Sequence, residues 1–216
     1  KKELRETSGK KPFADLGFLD KTGEVNAKIW DISNDAFQAL ELNKLYYVNA
    51  KVDTFKELLQ LNVNRIRLAD PEDQKEIGDF VPQAPIPPQE MLNEIDVFIG
   101  KIVHPEIRTL VQNLLRNKGD KLLYWPAAKS LHHSIRGGLL YHLVRMLRTA
   151  EMLKCVYTDL NTDLLYAGVL IHDLSKIGEL EANELGFSEY SREGQLLGHL
   201  LMGIKEIEVE GRLAGI

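Results

Sequence analysis

The hydrophobic pattern changes its period near residue 70, and this change limits the fold more than any other feature of the chain. Before it, apolar residues recur at every second position. Phe13 to Asp20 alternates, as do Val25 to Asp31, Tyr46 to Val52 and Leu59 to Leu68, the pattern of strands with one buried face. Lys21-Thr22-Gly23-Glu24 reads as a turn, and Ser33 as the N-cap of a short helix through Leu40. Four strands with one helix between the second and third predict a small β-barrel that lacks its opening strand.

After the change the period is that of a helix. Met91, Leu92, Ile95, Phe98 and Ile99 form one stripe. Pro105 starts a second helix, with Ile107, Leu110, Val111, Leu114 and Leu115 on one face. Ser130 to Leu153 is a long candidate helix that contains Gly137-Gly138. Asp159 or Asn161 caps the next, which ends at His172-Asp173, and Ser191 to Ile207 is another. Four of the eight prolines fall between Pro82 and Pro88, the composition of an extended linker. The expected organisation is multidomain α and β. An incomplete barrel covers residues 1–69, a proline-rich linker 70–88 and an all-α domain 89–216.

The 216 residues have a formal net charge of −5. Residues 1–70 carry 12 Lys/Arg against 11 Asp/Glu, and residues 71–216 carry 15 against 21. Any site for a polyanion must therefore be local or assisted by bound cations. The single cysteine, Cys155, excludes an intrachain disulfide and fits a reducing cytoplasm. The apolar runs are about half the length of a membrane span, and no signal-peptide pattern is visible at Lys1. The chain opens Lys1-Lys2-Glu3-Leu4-Arg5 without Met, so residues ahead of it are expected.

All six histidines, at 104, 132, 133, 142, 172 and 199, lie in the helical part. A lone helical histidine usually packs in a core or on a surface, but five grouped around one aspartate suggest more. His172-Asp173 stands where the apolar run Leu164 to Ile171 stops. An imidazole and a carboxylate side by side there can reach one divalent cation, and burying them without a partner would be costly. His142 lies on a helix whose other face is Leu139, Leu143, Met146 and Leu147. His199 follows Gly194 and Gly198, small residues that permit close backbone approach. Imidazoles mixed with carboxylate suit manganese, iron or zinc, and the cysteine count excludes a thiolate site.

His132 to His142, Tyr166 to Lys176 and Leu197-Gly198-His199 resemble the HD metallo-phosphohydrolase superfamily. Within it they are most similar to the YhaM-type 3′–5′ exoribonucleases, which join an N-terminal OB fold to an HD domain. Gly23 to Asp31, Asp79-Phe80-Val81-Pro82 and Tyr124 to Lys129 resemble the same branch. The resemblance implies 3′–5′ hydrolysis of single-stranded RNA, or DNA, by a divalent metal. Manganese is the first expectation, with iron, zinc and magnesium as alternatives. It implies that His142, His172 and Asp173 hold one ion, and that His199 serves a second bridged through Asp173. Lys176 would contact the scissile phosphate, or else be a solvated charge at a helix end. His133 would hydrogen-bond a phosphate or an attacking water, or else pack locally. HD enzymes complete the set with a further histidine pair and a last aspartate. No histidine follows His199 here, so these residues supply three of the usual four ligands of the first ion. Ser175 stands where the family pattern has glycine.

Single-strand binding by an OB-like domain uses aromatic platforms and a cationic groove. Phe13, Phe18, Trp30, Tyr46 and Phe55 are candidate platforms, and Lys10, Lys11, Lys28, Arg65 and Arg67 candidate phosphate contacts. Alternation pairs Lys28 with Trp30 on one face and Arg65 with Arg67 on another strand's face. Phe13, Lys28, Trp30, Arg65 and Arg67 are the expected nucleic-acid contacts. Two rival functions stay open: phosphohydrolysis of small nucleotides, and strand binding by a non-catalytic protein with a scaffold HD domain. No membrane partner is expected, and a homo-oligomer is compatible with the pattern.

Overall fold

The computed structural model describes every residue except Lys21, Pro71 and 74–76. The turn expected at 21–24 therefore lies outside the described residues at Lys21, and the expected linker does so at Pro71 and 74–76. The chain divides into two compact units, Lys1–Pro82 and Gln83–Ile216. No helix among the described residues is long and apolar enough to cross a membrane.

The first unit is a five-stranded mixed sheet. Its strands are β1 (Lys2–Glu6), β2 (Pro12–Asp20), β3 (Gly23–Trp30), β4 (Tyr46–Phe55) and β5 (Leu58–Leu68), in the order β1-β2-β3-β5-β4. Only β3 and β5 run parallel. Helix α1 (Asn34–Ala39) lies between β3 and β4 in the chain. Ser33 caps it by accepting the Ala36 N–H at 3.2 Å, and Phe37 is its buried residue. Ala14, Leu16, Ala27, Ile32, Phe37 and Val63 form the core. The sheet is not closed into a barrel among the described residues.

The four expected strands are present, but an opening strand is not lacking. Lys2–Glu6 pairs antiparallel with β2. Its sequence, Lys-Glu-Leu-Arg-Glu, shows no hydrophobic alternation because it is an edge strand, where charge discourages further pairing.

A β-bulge decides which way the arginines of β5 face. Asn49 pairs with Arg65 and the next residue, Ala50, with Val63, so Asn64 is the extra residue. Val63, Arg65 and Arg67 would share a face in a regular strand. With the bulge, Val63 is buried, Ile66 packs on the core, and Arg65 and Arg67 are exposed.

The second unit is helical: α2 (Pro88–Lys101), α3 (Pro105–Lys118), α4 (Gly138–Leu153), α5 (Thr162–Ile171), α6 (Lys176–Glu179) and α7 (Arg192–Ala214). A small hairpin of β6 (Leu180–Ala182) and β7 (Ser188–Tyr190) precedes α7. The expected stripes of α2 and α3 face one core with Leu139, Leu143, Leu147, Tyr166 and Leu170. Ala84 and Ile86, in the proline-rich stretch, pack on that core, and the Ala84 N–H donates to Arg136 O at 2.9 Å. Of the two expected caps of α5, Asn161 serves, accepting the Leu164 N–H at 3.1 Å.

The long helix expected from Ser130 begins only at Gly138. His133 and Gly137 adopt positive φ, +60° and +70°, which no α-helix tolerates. The carbonyl of His133 turns back to accept the Ala127 N–H at 3.0 Å. It would lie 2.0 Å from any Cβ at position 138, so glycine is required there. Helix α7 starts after Ser191, which caps it, passes the expected end at Ile207 to reach Ala214, and its helical geometry breaks at Gly198, φ +69°.

Candidate functional site

Asp173 is the hub of the helical unit's polar chemistry. Helix α5 buries Tyr166, Ala167, Val169 and Leu170, and His172 is its C-cap. Asp173 follows at 4% exposure, beside Leu174 and Ser175, both buried. Burial pushes its carboxyl pKa up. Hydrogen bonds from His142 and Lys176, with the charges of His172 and Lys176, overcome this and hold it well below the usual carboxylate range. The group is therefore an anion.

Its two oxygens face different partners. Asp173 Oδ2 lies 3.3 Å from His142 Nε2, 3.4 Å from His172 Nε2 and 2.9 Å from Lys176 Nζ. Asp173 Oδ1 lies 3.3 Å from His199 Nε2. The two imidazoles themselves approach to 3.4 Å, Nε2 to Nε2. The Nδ1 of His172 is 2.9 Å from Val169 O. A carbonyl only accepts, so Nδ1 donates to it and Nε2 is the ring nitrogen turned toward Asp173.

This geometry fits a cation. Among the described residues, His142, His172 and Asp173 form a group whose ligand atoms lie within 4.8 Å of one another. A triangle with sides of 3.3, 3.4 and 3.4 Å has its corners about 1.9 Å from its centre, close to the roughly 2.0–2.2 Å bonds of zinc to nitrogen and oxygen. A proton or a metal cation among these three atoms offsets the charge of the carboxylate. His199 lies outside this group and meets the opposite carboxylate oxygen.

The loop before α4 brings two more imidazoles alongside. The ring centroids of His133 and His132 are 5.5 and 6.2 Å from that of His142. Desolvation, then the nearby charges of His142, His132, Arg145 and Lys176, depress the His133 pKa, so its ring is neutral near pH 7. Its Nδ1 is buried with no hydrogen-bond partner among the described residues.

Three further residues join the site with little signal in the sequence. Glu179 Oε1 lies 3.0 Å from His199 Nδ1. Its signal is faint, a carboxylate one turn after Lys176. His132 lies within the histidine motif without a ligand's place in it. Glu206 accepts from the buried Ser175 hydroxyl at 2.9 Å and from Lys118 at 2.5 Å. The residue in the glycine position of the pattern thereby ties the His172-Asp173 turn to α7.

On the sheet unit, Phe13 and Trp30 are cross-strand partners with centroids 5.0 Å apart. The Lys28 ammonium lies 5.3 Å from the Phe13 ring, 5.2 Å from Trp30 and 5.1 Å from Phe55. Trp30 is 46% exposed and Phe55 55%. The indole N–H of Trp30 donates to Asn62 Oδ1 at 3.1 Å. The structure thus brings Phe13, Lys28 and Trp30 together and adds Phe55. Arg65 is exposed. Arg67 stacks 4.7 Å over Tyr47, and its guanidinium is held by both oxygens of Asp73 and by Asp70.

An open mixed sheet followed by a helical unit with a His-His-Asp cluster able to bind a metal ion is the class of protein these observations define. No protein-family model matches the chain. The chain is a homologue of curated proteins named 3′-5′ exoribonuclease YhaM. It is 36% identical to that of Oceanobacillus iheyensis over 93% of its own length and 63% of the relative's. It is 35% identical to that of Halalkalibacterium halodurans, over 97% and 65%, and 36% identical to that of a Geobacillus species, over 97% and 64%. The chain therefore spans a little under two thirds of the length of these relatives. The resemblance carried by the histidine motifs agrees with them.

Proposed function

We propose that the chain performs metal-dependent 3′–5′ hydrolysis of single-stranded RNA, with DNA as a second substrate. The relatives' name supports the direction and the polymer. The observation that carries the reading is the triangle of His142 Nε2, His172 Nε2 and Asp173 Oδ2.

In this reading residues 1–69 are an OB-like strand-binding domain, 70–88 a linker and 89–216 an HD-type domain. The strand order β1-β2-β3-β5-β4 with a helix between β3 and β4 supports the first. The histidines on separate helices around one aspartate support the last. The single, exposed Cys155 is compatible with a cytoplasmic setting.

His142, His172 and Asp173 would hold one divalent ion, and His199 a second shared through the other oxygen of Asp173. The motif resemblance makes manganese the first expectation, before iron, zinc or magnesium, and the imidazole–carboxylate donor set accommodates each of them. A cation bound there supplies Lewis acidity at a phosphoryl oxygen and acidifies the attacking water. The protein's own groups do the rest. Lys176 presents an ammonium where charge grows on the phosphate. His133, beside His142, would hydrogen-bond a phosphate oxygen or a water. Phe13 and Trp30 stack bases, while Lys28, Arg65 and Arg67 meet phosphates.

The test is a 5′-labelled oligoribonucleotide incubated with the chain and Mn²⁺. A ladder shortening from the 3′ end is expected, abolished by chelator and by Asp173→Ala. Shortening that survives Asp173→Ala overturns the proposal. Strand binding without shortening favours a non-catalytic binding protein, and hydrolysis of mononucleotides alone a small-nucleotide phosphohydrolase.

A further inference from the structure

The environment of His199 contains an acid with no role in the function proposed above. Glu179 ends the single-turn helix α6, and its carboxylate is mostly enclosed, at 13% exposure. One of its oxygens, Oε1, accepts twice from His199: from the backbone N–H at 3.1 Å and at the Nδ1 position at 3.0 Å. The positive φ of Gly198 interrupts α7 just before His199. The backbone N–H of His199 therefore opens a new helical turn and needs a side-chain acceptor, as at any helix start. Glu179 provides it.

Glu179 is itself fixed against α7 by its main chain. Its carbonyl accepts the Ser191 N–H at 2.9 Å, and the Ser191 hydroxyl donates to Gly178 O at 2.7 Å. The same hydroxyl oxygen accepts the Gly194 N–H at 2.8 Å. A Cβ on Gly194 would lie 2.1 Å from Glu179 O, so only glycine permits this approach. Two hydrogen bonds thus join the carboxylate to His199, and the Ser191 bond and the Gly194 approach fix the backbone that carries it.

We infer that Glu179 is a positioning residue that locks His199 in its Nδ1–H tautomer and so presents the Nε2 lone pair to a cation shared with Asp173 Oδ1. An ionised carboxylate only accepts hydrogen bonds, so Nδ1 must carry the proton. Nε2, 3.3 Å from Asp173 Oδ1, is then the ring nitrogen left to face a cation. Carboxylates that orient ligating imidazoles typically govern metal affinity by 10–100-fold. Lys176 lies at the other end of the same turn and reaches Asp173 Oδ2. Helix α6 therefore addresses both sides of the hub. The inference rests on the proposed role of His199 as a ligand.

Two measurements test it separately. The first is ¹⁵N NMR of the histidine rings in the metal-free chain, which reads the tautomer without any ion. The wild type is expected to show His199 protonated at Nδ1. Glu179→Gln should keep that state, because an amide oxygen still accepts, and Glu179→Ala should lose it. A wild-type ring protonated only at Nε2, or unchanged in Glu179→Ala, overturns the positioning role whether or not metal binds. The second is calorimetric titration with Mn²⁺. Glu179→Ala is expected to weaken the His199-dependent binding event about 10–100-fold, with Glu179→Gln within roughly threefold of wild type and the event that depends on His142 unchanged. Equal losses in the Gln and Ala variants, or no loss in either, overturn the inference. Wild-type Mn²⁺ uptake by His199→Ala instead overturns the ligand reading on which it rests.

Discussion

The ammonium of Lys176 stands 2.9 Å from Asp173 Oδ2, the oxygen that His142 and His172 also face. Lys176 therefore neutralises the anion that a cation would use, and a bound cation would repel it. In the proposed function this lysine would weaken metal binding and serve the substrate instead.

This relationship yields the first prediction. Lys176→Met should bind Mn²⁺ several-fold more tightly in calorimetry, because a competing positive charge is gone. Its turnover of labelled RNA should nonetheless fall about 10²–10³-fold, the usual loss when one electrostatic contact to a transition state is removed. Parallel losses of metal affinity and turnover would mean that Lys176 merely supports the fold.

On the sheet unit, Trp30→Ala should cost about 1–3 kcal/mol of single-strand affinity if a base stacks there. Fluorescence anisotropy with a short oligonucleotide measures it. An unchanged affinity removes the Phe13–Trp30 surface from the interface.

Arg67 behaves differently because Asp73 holds its guanidinium. The ion pair also draws the Asp73 pKa down to about 2. Asp73→Asn should release Arg67, tighten strand binding and steepen its salt dependence. Salt-series anisotropy on the wild type and this variant decides the matter, and identical slopes would argue against a phosphate contact.

Gly138→Ala should destabilise the chain by more than about 2 kcal/mol. A Cβ there would meet His133 O at 2.0 Å, forcing the histidine loop off the start of α4. Urea midpoints of the two proteins measure this. A variant as stable as wild type would show that the loop adapts freely.

Glu151 predicts a pH dependence. Hydrogen bonds from Tyr166 and Lys101 lower its pKa from 4.5 to about 2. A depressed carboxyl pKa contributes stability that is fully present above the unfolded value, near 4.5, and is lost as pH falls toward 2. The side chain is 38% exposed, so screening limits the contribution to about 1 kcal/mol or less. Urea midpoints of wild type and Glu151→Gln should differ most above pH 5 and converge as pH falls from 5 toward 2. A gap that widens on acidification contradicts the assignment.

The legibility of the chain follows the same physics. Hydrophobic period places β2 to β5, α2, α3 and α5 because each buries one regular face. It misses β1, whose edge position calls for charge, and the bulge at Asn64, which leaves no trace in composition. It extends α4 eight residues too early, because no local pattern shows that His133 takes positive φ. His172 and Asp173 were legible since polar residues beside a buried apolar helix end demand partners, and His142 was joined to them by the resemblance of its motif. Glu179 was not, because its approach to His199 depends on the break at Gly198 and the close pass of Gly194, both tertiary facts.

The most direct test of the central claim is anomalous diffraction at the manganese edge from crystals grown with Mn²⁺. The account predicts a peak about 2.0–2.3 Å from His142 Nε2, His172 Nε2 and Asp173 Oδ2 together, absent in crystals of Asp173→Ala. A peak elsewhere, or none at saturating Mn²⁺, would contradict it.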